Sequence, residues 1–104
     1  MSKQSRAGTY YEPMPADFEI LGRLPRAGII GGVHWAGVPV RHIARDVREA
    51  NPEADVPTTF IAARLRSMKV AGLVEDRPAV GGRIWAKTPT GVEHEAKREE
   101  ILGA

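Results

Sequence analysis

The stretch Val56-Pro57-Thr58-Thr59-Phe60-Ile61-Ala62-Ala63-Arg64-Leu65-Arg66-Ser67-Met68-Lys69-Val70-Ala71-Gly72-Leu73-Val74 sets the fold. Pro57 opens a helix, because its ring holds φ near the helical value and its missing N–H falls where no partner is needed. Ile61, Leu65 and Met68 recur at i, i+4 and i+7, which stacks them in one apolar stripe. Gly72 stands where helices end in a left-handed residue, and Leu73-Val74 begin a strand. At about 100° per residue, the side opposite the stripe holds Thr59, Ala63, Arg66 and Val70, flanked by Ala62 and Lys69. A core-facing stripe is thus paired with an outward face that is small, polar and basic.

Toward the C-terminus, Gly81-Gly82 predicts a two-residue type I′ hairpin turn, which needs positive φ at both positions. Its arms are residues 73–80 and 83–87, with Pro78 on an edge where no ladder donor is lost. Thr88-Pro89 starts another helix, with a capping hydroxyl and then Pro at the first position. Val92, Ala96 and Ile101 or Leu102 give that helix its apolar side. Toward the N-terminus, a helix over residues 41–50 buries Ile43, Ala44 and Val47, and Asn51-Pro52 stops it. Val38-Pro39-Val40 reads as a very short strand. Residues 29–37 are interrupted by Gly31, Gly32 and Gly37, and Ile29, Ile30, Val33 and Trp35 there read as buried. Pro15 opens a first helix with Phe18, Ile20, Leu21 and Leu24 on its apolar stripe and Asp17 and Glu19 near the positive end of its dipole. Residues 1–14 are polar and read as a disordered arm, so one domain spans residues 15–104.

The order is helix, short strand, helix, turn, helix, two-stranded hairpin, helix. Residues 56–74 resemble the recognition helix of bacterial winged-helix regulators such as the MarR and PadR families. Those families show a polar first turn, an apolar i, i+4, i+7 set, and Gly-Leu-Val entering the wing. Ile84-Trp85-Ala86-Lys87-Thr88-Pro89-Thr90-Gly91 is similar to their exit from the wing, an aromatic residue followed by Leu-Thr-x-x-Gly. The match departs at Lys87, where the pattern has an apolar residue. It covers roughly half of the chain, and the last helix is far shorter than a MarR dimerisation arm. The resemblance implies an α+β fold, a winged helix-turn-helix that is mainly helical with a two-stranded β-hairpin wing, of bacterial or phage type.

Composition bounds the remaining classes. A chain of 104 residues with 42% apolar residues supplies one modest core. The absence of cysteine rules out disulfides and thiolate metal sites and fits a cytoplasmic protein. No apolar run approaches the roughly 20 residues that cross a bilayer, and the start of the chain lacks a signal-peptide pattern. Net charge is only +2, but it is segregated. Residues 23–48 carry five Arg against Asp46, and residues 57–90 carry six basic residues against Glu75 and Asp76. The connector holds Glu49, Glu53 and Asp55, and the tail sets four Glu against Lys97 and Arg98. Elements that share a positive excess present a basic face to phosphate if the fold brings them together.

Other chemistry finds little support. His34, His42 and His94 share no ligand spacing, and Glu93-His94-Glu95 with Glu99 reads as a solvated charged face rather than a metal site. Residues 28–32 lack the Lys-Ser/Thr ending of a phosphate loop. No nucleophile has a base beside it, so no catalysis, cofactor or metal is expected.

The expectation is therefore a sequence-specific double-stranded DNA-binding protein that regulates transcription. In the recognition helix, Thr58, Thr59, Ala62, Ala63, Arg66 and Lys69 face DNA: the small residues allow close approach, and Arg grips guanine bidentately. In the wing, Arg77, Gly81, Gly82 and Arg83 reach a minor groove or the flanking backbone. Arg41 and Arg45, on the preceding helix, clamp phosphates. Lys3 and Arg6 of the arm read as part of a flexible tail without a role rather than as minor-groove contacts. A homodimer is expected, paired through Phe18, Ile20 and Leu21 of the first helix and Val92, Ile101 and Leu102 of the last, with the tail glutamates held off the DNA. Two other readings stay open. One is an architectural DNA accessory such as an excisionase. The other is a winged helix that inhibits a protein partner, which joint exposure of Phe60 and Val70 would favour.

Overall fold

A computed structural model describes residues 11–27 and 37–103, together with the backbone of residues 29–30 and 33–34. The chain is α+β. Its elements are α1 (Pro15–Leu21), β1 (Ile29–Ile30), β2 (Val33–His34), α2 (Val40–Ala50), α3 (Thr58–Val70), β3 (Val74–Ala79), β4 (Gly82–Lys87), α4 (Pro89–Ala96) and α5 (Arg98–Leu102). The strands form two antiparallel pairs, β1 with β2 and β3 with β4. Among the described residues no helix is long and apolar enough to cross a membrane. Residues 1–10 of the expected arm, with Lys3 and Arg6, lie outside the described residues, as do the side chains of Ile29, Ile30, Val33 and Trp35.

The core is built from the predicted stripes. Ile61, Leu65 and Met68 of α3 are fully buried, against Ile43, Ala44 and Val47 of α2 and Phe18, Ile20 and Leu21 of α1. Leu24, Leu73, Val74 and Trp85 complete it. Because α1 spends its apolar face here, Phe18, Ile20 and Leu21 are not available to pair two copies, contrary to the expectation. Tyr11 also packs on this core, so the packed domain includes residues before Pro15. Asn51 fastens the end of α2 to α1, its Nδ2 donating to Glu19 Oε1 at 2.9 Å.

The β3–β4 hairpin joins the core at its base. Val38 exchanges two backbone hydrogen bonds with Trp85, at 3.0 and 2.8 Å, so the expected short strand is a single bridging residue. On Lys87, the backbone N donates to Pro25 O and the carbonyl accepts from Ala27 N. Lys87 itself explains why this position is not apolar: its Nζ donates to Leu21 O at the end of α1 (3.1 Å) and to Glu95 Oε1 (2.6 Å). A cation suits the negative end of a helix dipole, and Leu21 O accepts it beside the Leu24 N–H.

Two expectations are corrected. The hairpin loop is Val80-Gly81, not Gly81-Gly82, because Ala79 pairs with Gly82. Gly81 has φ +87° while Val80 is not in the positive-φ region, the sign pattern of a type II rather than a type I′ turn. The last helix is two: Lys97, with φ −101° and ψ 26°, separates α4 from α5, and Ala96 is exposed.

His94 of α4 stacks on Phe18 with ring centroids 5.0 Å apart, and Tyr11 meets it edge-on at 5.8 Å. Burial lowers its pKa below the usual 6.5, against the attraction of Asp17. The folded state therefore holds fewer protons at this site than the unfolded chain. Its contribution is fully present above pH 6.5 and is lost as pH falls from there toward the lowered folded value. The melting midpoint is expected to drop between about pH 7.5 and about pH 5.5, and His94→Phe, which keeps the stack, to remove most of that drop. An equal drop in both proteins would assign it to other groups.

Candidate nucleic-acid interface

The outward face of α3 follows from its buried stripe. Thr59, Arg66 and Lys69 are exposed, Ala62 and Ala63 are half-buried beside them, and Val70 is 53% exposed. Thr58 departs from the expected role. Its Oγ1 accepts from Arg48 Nη1 at 3.3 Å, and the same nitrogen donates to Val56 O at 3.1 Å. Thr58 and Arg48 thus tie α2 to the start of α3. Phe60 is half-buried against the core, so it forms no apolar patch with Val70.

In the hairpin, the register separates the two arginines. Asp76 pairs with Trp85, Arg77 with Ile84 and Pro78 with Arg83. Side chains alternate along a strand, so Asp76, Trp85 and Arg83 share the face turned toward α3, and Arg77 lies on the other. Arg77 is half-buried and has a contact of its own. On the inner face Asp76 is nearly covered. Its Oδ1 receives Lys69 Nζ at 2.8 Å and its Oδ2 receives Arg83 Nε at 2.5 Å. Burial pushes this carboxyl up, but the hydrogen bonds and charges of Lys69 and Arg83 outweigh it and hold it below the usual carboxylate value. A cation of α3 and a cation of β4 therefore meet on one anion.

Arg41 and His42, in the first turn of α2, face Val80, Gly81, Gly82 and Arg83 across an open cleft. Val80 at the hairpin tip is fully exposed. Arg45, one turn further along α2, pairs with Asp46 at 3.6 Å, both side chains being about half exposed. Such a surface pair contributes about 0–1 kcal/mol and leaves Arg45 available. The structure thus brings Arg41, Gly81, Gly82 and Arg83 together and links Arg83 to Lys69. It sets Arg77 apart and gives Thr58 another task.

Three basic residues serve the fold instead. Arg64 donates from Nε and Nη2 to the two oxygens of Asp17, at 2.8 and 2.9 Å, and Asp17 is fully buried. That hydrogen bond raises the Arg64 pKa further. Burial raises the Tyr11 pKa, and its hydroxyl donates to the same carboxylate. Lys87 and Arg48 are the other two. The signal in the sequence was position: Asp17 precedes Phe18 inside the α1 stripe, and Arg64 adjoins Leu65 inside that of α3. Compared with protein-family models, with curated proteins and with solved structures, the chain matches none.

Proposed function

We propose that this chain is a winged helix-turn-helix domain that binds double-stranded DNA and acts as a sequence-specific regulator, without catalysis or cofactor. The β3–β4 hairpin is the wing, α3 enters the major groove, and α2 crosses the backbone. The observation that carries this reading is the arrangement of cations. Arg66 and Lys69 of α3, Arg83 of the wing and Arg41 of α2 are all exposed and stand on three elements packed around one core. Ala62 and Ala63 beside Arg66 leave room for base edges to approach. The protein-inhibitor reading loses its support, since Phe60 packs inward.

The test is binding to random duplex DNA at two salt concentrations, followed by selection of a preferred site. Random duplex is expected to bind weakly, with Kd of about 10⁻⁴–10⁻⁶ M near physiological salt, and to tighten steeply as salt falls. On the selected site Arg66→Ala is expected to cost about 1–3 kcal/mol and to relax preference at one base pair. An equal loss on selected and random DNA would place Arg66 on phosphate alone. Absence of salt-dependent binding would overturn the reading.

A further inference from the structure

We infer that Asp76 sets the strength of phosphate binding: it is a built-in competitor that withholds Lys69 and Arg83 from DNA of any sequence and fixes the spacing between α3 and the wing. The inference rests on the DNA-binding reading above. Its geometry is on one face of the hairpin. The Asp76 side chain is 6% exposed, whereas those of Lys69 and Arg83 are each 52% exposed. The carboxylate therefore lies beneath two cations whose outer sides remain open. One oxygen faces the last turn of α3 and the other faces β4, so a single anion bridges the two elements that would straddle a DNA strand.

Two consequences follow from electrostatics. A phosphate arriving there meets cations that already hold an anion, and it lies close to that anion. Fewer counterions are released than two free cations would release, and the sequence-independent part of the affinity falls. Base-edge contacts made by Arg66 are untouched, so the loss falls on random and selected duplexes alike. Glu75 provides the internal comparison. It is the adjacent residue, carries the same charge, is exposed, and pairs across the strands with Ala86 on the opposite face. Among the described residues it has no ion pair.

The experiment measures Kd for one random duplex at about 50 mM and about 200 mM salt, with wild type, Asp76→Asn, Asp76→Glu and Glu75→Gln. Asp76→Asn is expected to bind more tightly at the lower salt and to lose about threefold more affinity than wild type between the two, which is the change one extra released counterion gives. Glu75→Gln is expected to keep the wild-type salt slope, and Asp76→Glu to restore it. Asp76→Thr, whose branched side chain suits a strand, is the second neutral variant should Asp76→Asn melt early. Salt-dependent wild-type binding with an unchanged slope in the neutral variants removes the role of Asp76 alone. Weaker binding by those variants makes Asp76 a scaffold that presents the cations, and overturns the inference. Loss of folding in both neutral variants does the same, by making the cluster structural. No duplex binding by wild type removes the DNA reading and this inference with it.

Discussion

Gly91→Ala is expected to destabilise the protein by about 3 kcal/mol or more, lowering the melting midpoint by more than about 10 °C. Elsewhere in a helix the same change stabilises, because Ala exceeds Gly in helix propensity by about 1 kcal/mol. Here the sign reverses for a steric reason. A Cβ on Gly91 would stand 2.0 Å from the Leu73 carbonyl oxygen and 3.0 Å from its carbon. That carbonyl cannot swing away, because it accepts from Thr88 N at 3.0 Å and belongs to a buried residue. Nor can α4 lift off cheaply. Thr88 Oγ1 accepts from Gly91 N at 3.0 Å while donating to Gly72 O at 2.6 Å, so helix cap and hairpin base share one hydroxyl. Thr90→Ala, next along α4 and exposed, is the control, with an expected change within about 0.5 kcal/mol. A wild-type midpoint for Gly91→Ala would show that α4 does not seat on Leu73.

That contact also shows which parts of the fold were readable from the sequence. Periodicity located α3 and its stripe because helical spacing is local, and Thr88-Pro89 located the start of α4 for the same reason. Gly81-Gly82 announced a hairpin but not its register. Both glycines accept positive φ, so the choice of loop lies with the base of the hairpin. There Thr88 and Gly91 clamp residues 72–73 and Trp85 bridges to Val38, contacts that no local pattern encodes. The pairing of residues 25–27 with Lys87 was invisible for the same reason.

The candidate site was readable only in outline. The wheel placed Thr59, Arg66 and Lys69 outward, since their direction follows from Leu65 being inward. Charge counting overstated what is left for DNA. Of the basic residues between 57 and 90, Arg64 and Lys87 hold the core together, and Lys69 and Arg83 share Asp76. An acid in a hairpin arm and two basic residues from different elements become one cluster only after the strands are paired.

The Arg64–Asp17 pair leads to the second large effect. Arg64→Met is expected to destabilise by about 3–5 kcal/mol, because it leaves the fully buried Asp17 carboxylate without its counter-charge. The remaining donors are neutral: the Tyr11 hydroxyl and Met14 N, at 2.5 and 3.1 Å. They satisfy lone pairs but do not compensate the charge. Arg64→Lys is expected to recover only part of the loss, since one ammonium cannot supply the two parallel bonds that the guanidinium makes at 2.8 and 2.9 Å. Adding Asp17→Asn to Arg64→Met removes the stranded charge, so the double variant is expected to be more stable than the two single losses sum to, a coupling of about 0.5–3 kcal/mol. Denaturant titration of wild type, Arg64→Met, Asp17→Asn and the double variant measures that coupling. Additive losses would mean that Arg64 and Asp17 act independently. The measurement also protects the functional test. Arg64 lies two residues before Arg66 but its side chain is only 16% exposed, so weakened DNA binding in an Arg64 variant reports lost folding, whereas in Arg66→Ala it reports a lost contact.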